Sequence, residues 1–157
     1  MARLNRSTIH LETKFKTMKK LFLALLMLTI ISSAFSQSKK KSPLYGTWLL
    51  ESAVFTTEDS VFKEDKSNKK QMKIVTPGHF MFIISNAADN KFVMASGGRA
   101  NVNDGTYTEI IEYSSDPQAL NKTYRFTAKV VGDTWYHSGM IGNWKLEEVW
   151  KKVKDQP

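Results

Sequence analysis

Two histidines and a glutamate are the side chains of this chain best suited to acid–base work or to gripping a polar ligand. His79 lies in TPGHF (76–80), His137 in DTWYHSG (133–139) and Glu109 in TYTEIIEY (106–113). Imidazole titrates near neutrality, so either histidine can hold or release a proton at physiological pH. Alternate residues of an extended strand share a face. That groups His137 with Trp135, and Glu109 with Tyr107 and Ile111. His79 goes with Met81 and Ile83, although Phe80 and Phe82 compete for the inward side. A carboxylate turned inward needs a partner, for which Arg99, Arg125 and the histidines are candidates. The bland alternative is that both histidines are hydrogen-bonded structural residues and that Glu109 is solvated. Glu112, on the opposite face of its strand, is expected in solvent. The geometric expectation is that His79, Tyr107, Glu109, Trp135 and His137 border one interior ligand site, since aromatic walls with a few polar groups line small-molecule pockets.

Other chemistries find less support. The chain has no cysteine, which excludes thiolate nucleophiles, thiol redox and cysteine zinc sites. Two histidines and one glutamate from three separate strands, without a His-x-x-x-His spacing, do not argue for a metal. No Gly-x-Ser-x-Gly element marks a serine nucleophile. Gly97-Gly98 is followed by no helix signal and reads as a bulge or turn, not a phosphate cradle. No catalytic residue and no cofactor are expected.

The elements that must position these residues are short and extended. Strands are expected at 44–56, 71–76, 79–85, 91–96, 105–113, 122–131, 133–140 and 144–153, separated by turn formers such as Pro77-Gly78, Asn103-Asp104-Gly105 and Gly142-Asn143. Residues 57–70 are charged and read as an exposed loop, with at most a short strand around Ser60-Val61-Phe62. The final segment contains LEEVW, but its β-formers and its place after seven strands make it a strand. About eight strands at hairpin spacing indicate an all-β antiparallel domain, either a barrel or a β-sandwich.

The N-terminal part reads differently. Residues 18–36, MKKLFLALLMLTIISSAFS, combine a positive start, an apolar run and small residues before Gln37, the pattern of a secretory signal peptide. Residues 1–17 then represent a misassigned start or an extended n-region, and 37–43 a flexible lead before a domain at 44–153. Removal of residues 1–36 takes six of the 23 basic residues and one of the 15 acidic ones, lowering the net charge from +8 to +3. The high overall charge is mostly a targeting signal. No basic stripe argues for nucleic acid, and no stable membrane anchor is expected after cleavage. The expected location is secreted or periplasmic.

The order of YGTW (45–48), GGRA (97–100), TYTEIIEY, SSDPQALNKTYRF (114–126), DTWYHSG and EEVWKKV (147–153) resembles the small lipocalin-like secreted proteins of bacteria, a calycin-type family. The resemblance covers most of 44–153. It implies an eight-stranded up-and-down barrel whose interior holds side chains or one small ligand. It also implies that Trp48 packs at the closed end beneath a basic residue of the last strand, Lys151 or Lys152 here. Three functions remain open: a non-catalytic binding protein for a small apolar or amphipathic molecule, an enzyme using a histidine–carboxylate pair, and an envelope protein with a filled barrel acting through its surface.

Overall fold

The computed structural model describes residues 41–154; the expected signal peptide, the segment before it and most of the flexible lead lie outside them. Nine strands follow in order: β1 (Gly46–Thr56), β2 (Val61–Asp65), β3 (Lys69–Thr76), β4 (His79–Asn86), β5 (Phe92–Asn103), β6 (Thr106–Ser114), β7 (Thr123–Val131), β8 (Thr134–Ile141) and β9 (Trp144–Lys152). One 3-10 turn, Pro117–Ala119, joins β6 to β7, and the Asp116 carboxylate caps it by accepting from the Gln118 amide at 2.9 Å.

Every pairing is antiparallel between neighbours, and β1 pairs with β9 from Trp48↔Lys152 to Thr56↔Lys145. The sheet therefore closes into an eight-stranded up-and-down barrel of β1 and β3 to β9. Closure excludes the β-sandwich.

The ninth strand is the main departure from the sequence expectation. Residues 57–70 were expected as a loop. Instead β2 folds back on the second half of β1, from Ser52↔Asp65 to Thr56↔Val61, while β3 takes the first half, from Gly46↔Val75 to Leu49↔Met72. Backbone pairing decides this: β1 runs past the end of its partnership with β3 and offers unpaired groups, and β2 satisfies them despite its charged sequence. The second departure is β5, which continues through Gly97-Gly98 to Asn103 with a bulge at the glycine pair. Gly98 has φ +154°, and a Cβ there would meet the Ile110 carbonyl oxygen and lie 2.7 Å from the Glu112 amide. Only glycine allows β5 and β6 to approach so closely. The β5–β6 hairpin closes with Asp104 and Gly105 at φ 41° and 78°, the positive pair a tight type I′ turn needs.

Side chains alternate in and out along the barrel wall. The closed end is built on three tryptophans with no exposed surface, Trp48, Trp135 and Trp150. Trp48 meets Trp135 edge-on at 5.5 Å, and Trp135 stacks on Trp150 at 6.0 Å. Trp48 Nε1 donates to the Leu44 carbonyl at 2.8 Å. Lys152 is the basic partner: its Nζ sits 5.1 Å from the centre of the Trp48 ring and donates to the Pro43 carbonyl at 3.0 Å. A cation over an indole face is attracted by the ring's negative quadrupole.

Candidate functional site

Above this aromatic floor the interior turns polar. Inward positions of β3 supply Gln71 and Lys73, β6 supplies Glu109, β8 His137 and β9 Glu148; all five are buried. A buried charge is costly unless paired, and the pairing is specific. Lys73 Nζ donates to Glu109 Oε1 at 2.8 Å. The same ammonium lies 5.1–5.8 Å from the centres of four aromatic rings, Phe82, Tyr107, Trp135 and Trp150. Aromatic faces and one carboxylate thus replace the water that Lys73 gives up.

Glu148 is held differently. His137 Nδ1 lies 2.5 Å from Glu148 Oε2, and Trp150 Nε1 donates to the same oxygen at 2.9 Å. Burial pushes the His137 imidazole below its ordinary range, a stronger influence than the opposing pull of Glu148. Burial alone would raise the Glu148 carboxyl, but the hydrogen bond from His137 and its charge interaction, then the charge of Lys73 and the hydrogen bond from Trp150, together hold it low. The pair is therefore a neutral imidazole and an ionised carboxylate. Nδ1 carries the proton and donates it, which leaves Nε2 as an acceptor. That Nε2 is buried and has no hydrogen-bond partner.

Two further polar atoms are buried without partners, the Tyr107 hydroxyl and Trp135 Nε1. Burial first, and then the neighbouring Glu109 charge, push the Tyr107 phenol far up, so it remains a hydroxyl. Its approach to Glu109 falls short of hydrogen-bond geometry.

A cavity of about 340 Å³ opens over this cluster. Lys73, Glu109, His137 and Glu148 border it together with Phe55, Phe82, Ile84, Val93 and Leu146. Gln71 and Glu64 lie at its edge, linked by a hydrogen bond from Gln71 Nε2 to Glu64 Oε2 at 2.9 Å. Burial, helped by the charge of Glu148, pushes the Glu64 carboxyl up against the opposing effects of Lys69 and Gln71.

Four of the five residues expected at an interior site come together. His137 is 4.8 Å from Trp135 and 5.7 Å from Tyr107 by ring centres, and Tyr107 and Glu109 are consecutive inward residues of β6. Of these, Glu109 and His137 border the cavity, while Tyr107 and Trp135 lie in the packing beneath it. His79 does not join them. It is exposed at the start of β4, because Phe80, Phe82 and Ile84 take the inward positions and leave His79, Met81 and Ile83 outside. The expected partners of Glu109 are also corrected. Arg99 binds Glu112 at 2.6 Å on the outer face and Arg125 is exposed.

Lys73 and Glu148 were missed by sequence reasoning. Glu148 carried a usable signal: it alternates with Leu146 and Trp150, the same argument that marked Glu109. Lys73 carried a misleading one. In QMKIVT the apolar Met72 and Ile74 suggest the inward face, yet Gln71, Lys73 and Val75 occupy it.

Comparison with known families adds one match. Residues 43–157 match the domain of unknown function DUF4488, and the chain belongs to that family. A search of curated proteins returns no match.

Proposed function

We propose that this DUF4488 domain is a non-catalytic binding protein that holds one small amphipathic molecule inside its barrel, and that it does so after export and removal of residues 1–36. The observation that carries the reading is a cavity of about 340 Å³ lined by a hydrogen-bonded polar cluster and by apolar side chains. Small-molecule sites have this composition and begin at about 300 Å³. The barrel and the Trp48–Lys152 contact fit a calycin relationship, and we include that relationship in the proposal. The open interior weighs against a filled barrel acting only through its surface.

The hydrogen bond between His137 and Glu148 favours one second reading, a histidine–carboxylate base acting on a bound substrate. Against it, the cavity lining offers no serine, threonine or cysteine nucleophile, and Nε2 is closed to solvent. Native mass spectrometry of protein purified from its own cell envelope tests the binding reading. The expected spectrum contains a second species, heavier by one small molecule, that reverts to the bare chain on gentle activation. A spectrum of bare chain alone, from material never exposed to detergent, goes against it.

A further inference from the structure

The binding reading leaves the chemical class of the ligand open, and the charges around the cavity narrow it. Three carboxylates border the space, Glu64, Glu109 and Glu148, against two ammonium groups, Lys69 and Lys73. Lys73 is committed to Glu109 at 2.8 Å. Lys69 donates to the neutral Asn86 side chain at 2.9 Å. Glu148 is held by two neutral donors, the His137 imidazole and the Trp150 indole. Glu64 is held by the neutral Gln71 amide. Among the described residues, neither Glu64 nor Glu148 has a lysine or arginine within ion-pair distance, and no group of three or more acidic or histidine side chains is arranged to hold a metal ion. The cavity therefore carries more negative than positive charge in a setting of low polarity, where an uncompensated charge is expensive.

We propose that the cavity selects an organic cation: a protonated amine on a short apolar chain, its N–H groups meeting the carboxylates of Glu64 and Glu148, its chain against Phe55, Phe82 and Leu146. The inference rests on the binding reading above. A cationic head supplies N–H donors to these carboxylates together with the missing positive charge. A carboxylate head would add a fourth anion and no donor.

The test uses three probes of equal length. The cavity corresponds to roughly eleven water volumes, room for an eight-carbon chain. Octylamine, octanol and octanoate are titrated into the intact protein by calorimetry at neutral pH and low salt. Octylamine is expected to bind about ten- to a hundredfold more tightly than octanol, the worth of one charge-assisted contact, and octanoate more weakly than either. Octanoate or octanol binding as tightly as octylamine overturns the cation inference and leaves the binding reading standing. Absence of binding by all three overturns both. Glu64→Gln, at the cavity edge and held by one hydrogen bond, is expected to shrink the preference for octylamine over octanol without unfolding the barrel, and Glu148→Gln to shrink it further. An undiminished preference in a folded Glu64→Gln protein counts against the role given to Glu64 and overturns the placement of the head.

Discussion

Replacing Lys73 by methionine removes the one ammonium that Glu109 contacts and keeps most of the volume. At 2.8 Å and an effective dielectric near 20, the direct attraction is about 6 kcal/mol. Desolvation of the two ions offsets most of it, at several kcal/mol for each. The intact pair therefore contributes little net stability relative to apolar residues of the same shape. Breaking it is another matter, because Glu109 is left buried without a cation. Lys73→Met is expected to cost about 3–5 kcal/mol, a large part of the stability of an ordinary domain. The double variant Lys73→Met/Glu109→Leu is expected to recover all but about 1–2 kcal/mol of that loss. Urea denaturation followed by tryptophan fluorescence reads both, since Trp135 and Trp150 lie within 6 Å of the ammonium. A loss under about 1 kcal/mol for the single variant, or a double variant no better than the single, would refute the claim that these two charges form one buried unit.

Four other outcomes are expected. The folded His137 imidazole titrates below its ordinary 6.5, so its contribution is complete above pH 6.5. As pH falls below that value the unfolded chain takes up a proton that the fold refuses, and stability drops by up to about 1.4 kcal/mol per pH unit. Glu64, raised in the fold, works in the opposite sense, so the informative curve is the difference from His137→Gln, whose denaturation midpoint should lose this slope between pH 6.5 and 5. Trp48→Ala should cost about 3–5 kcal/mol, and an unchanged melting temperature would place Trp48 outside the closed end. Gly98→Ala should cost about 3 kcal/mol or more through backbone collision and strain; wild-type stability would contradict the close β5–β6 approach. N-terminal sequencing of the exported protein should begin at Gln37, and a soluble form retaining residues 1–36 would count against the export reading.

The barrel was legible because its hairpins are marked by turn chemistry and its central strands alternate cleanly, as in Tyr124, Phe126, Ala128 and Val130 of β7. β2 was not legible, since its residues Val61–Asp65 are mostly charged or exposed and exist as a strand because β1 has an edge to cover. The site was half legible for a related reason. A large aromatic marks the inward face of its strand, so Trp135 located His137 and Tyr107 located Glu109. Where both faces of a strand are apolar or the inner face is polar, alternation loses its meaning. That is why His79 was placed inside and Lys73 was given no role. The outer sides of β3 and β4 carry Met72, Ile74, Met81 and Ile83, which imitate a core.

The seam between β1 and β9 has a bearing on when the molecule can become itself. Trp48 pairs with Lys152 across most of the chain, and β9 brings Glu148, Trp150 and Lys152 together. A ribosome delivers β1 before the other strands and β9 after them. Until then β1 has one bare edge, His137 has no carboxylate to donate to, and Trp48 has no lysine above it. Long-range strand pairing is intrinsically slow, and here it waits on the synthesis of β9. The same order sets a vulnerability: a polypeptide cut short before β9 would expose its seam to any neighbouring strand.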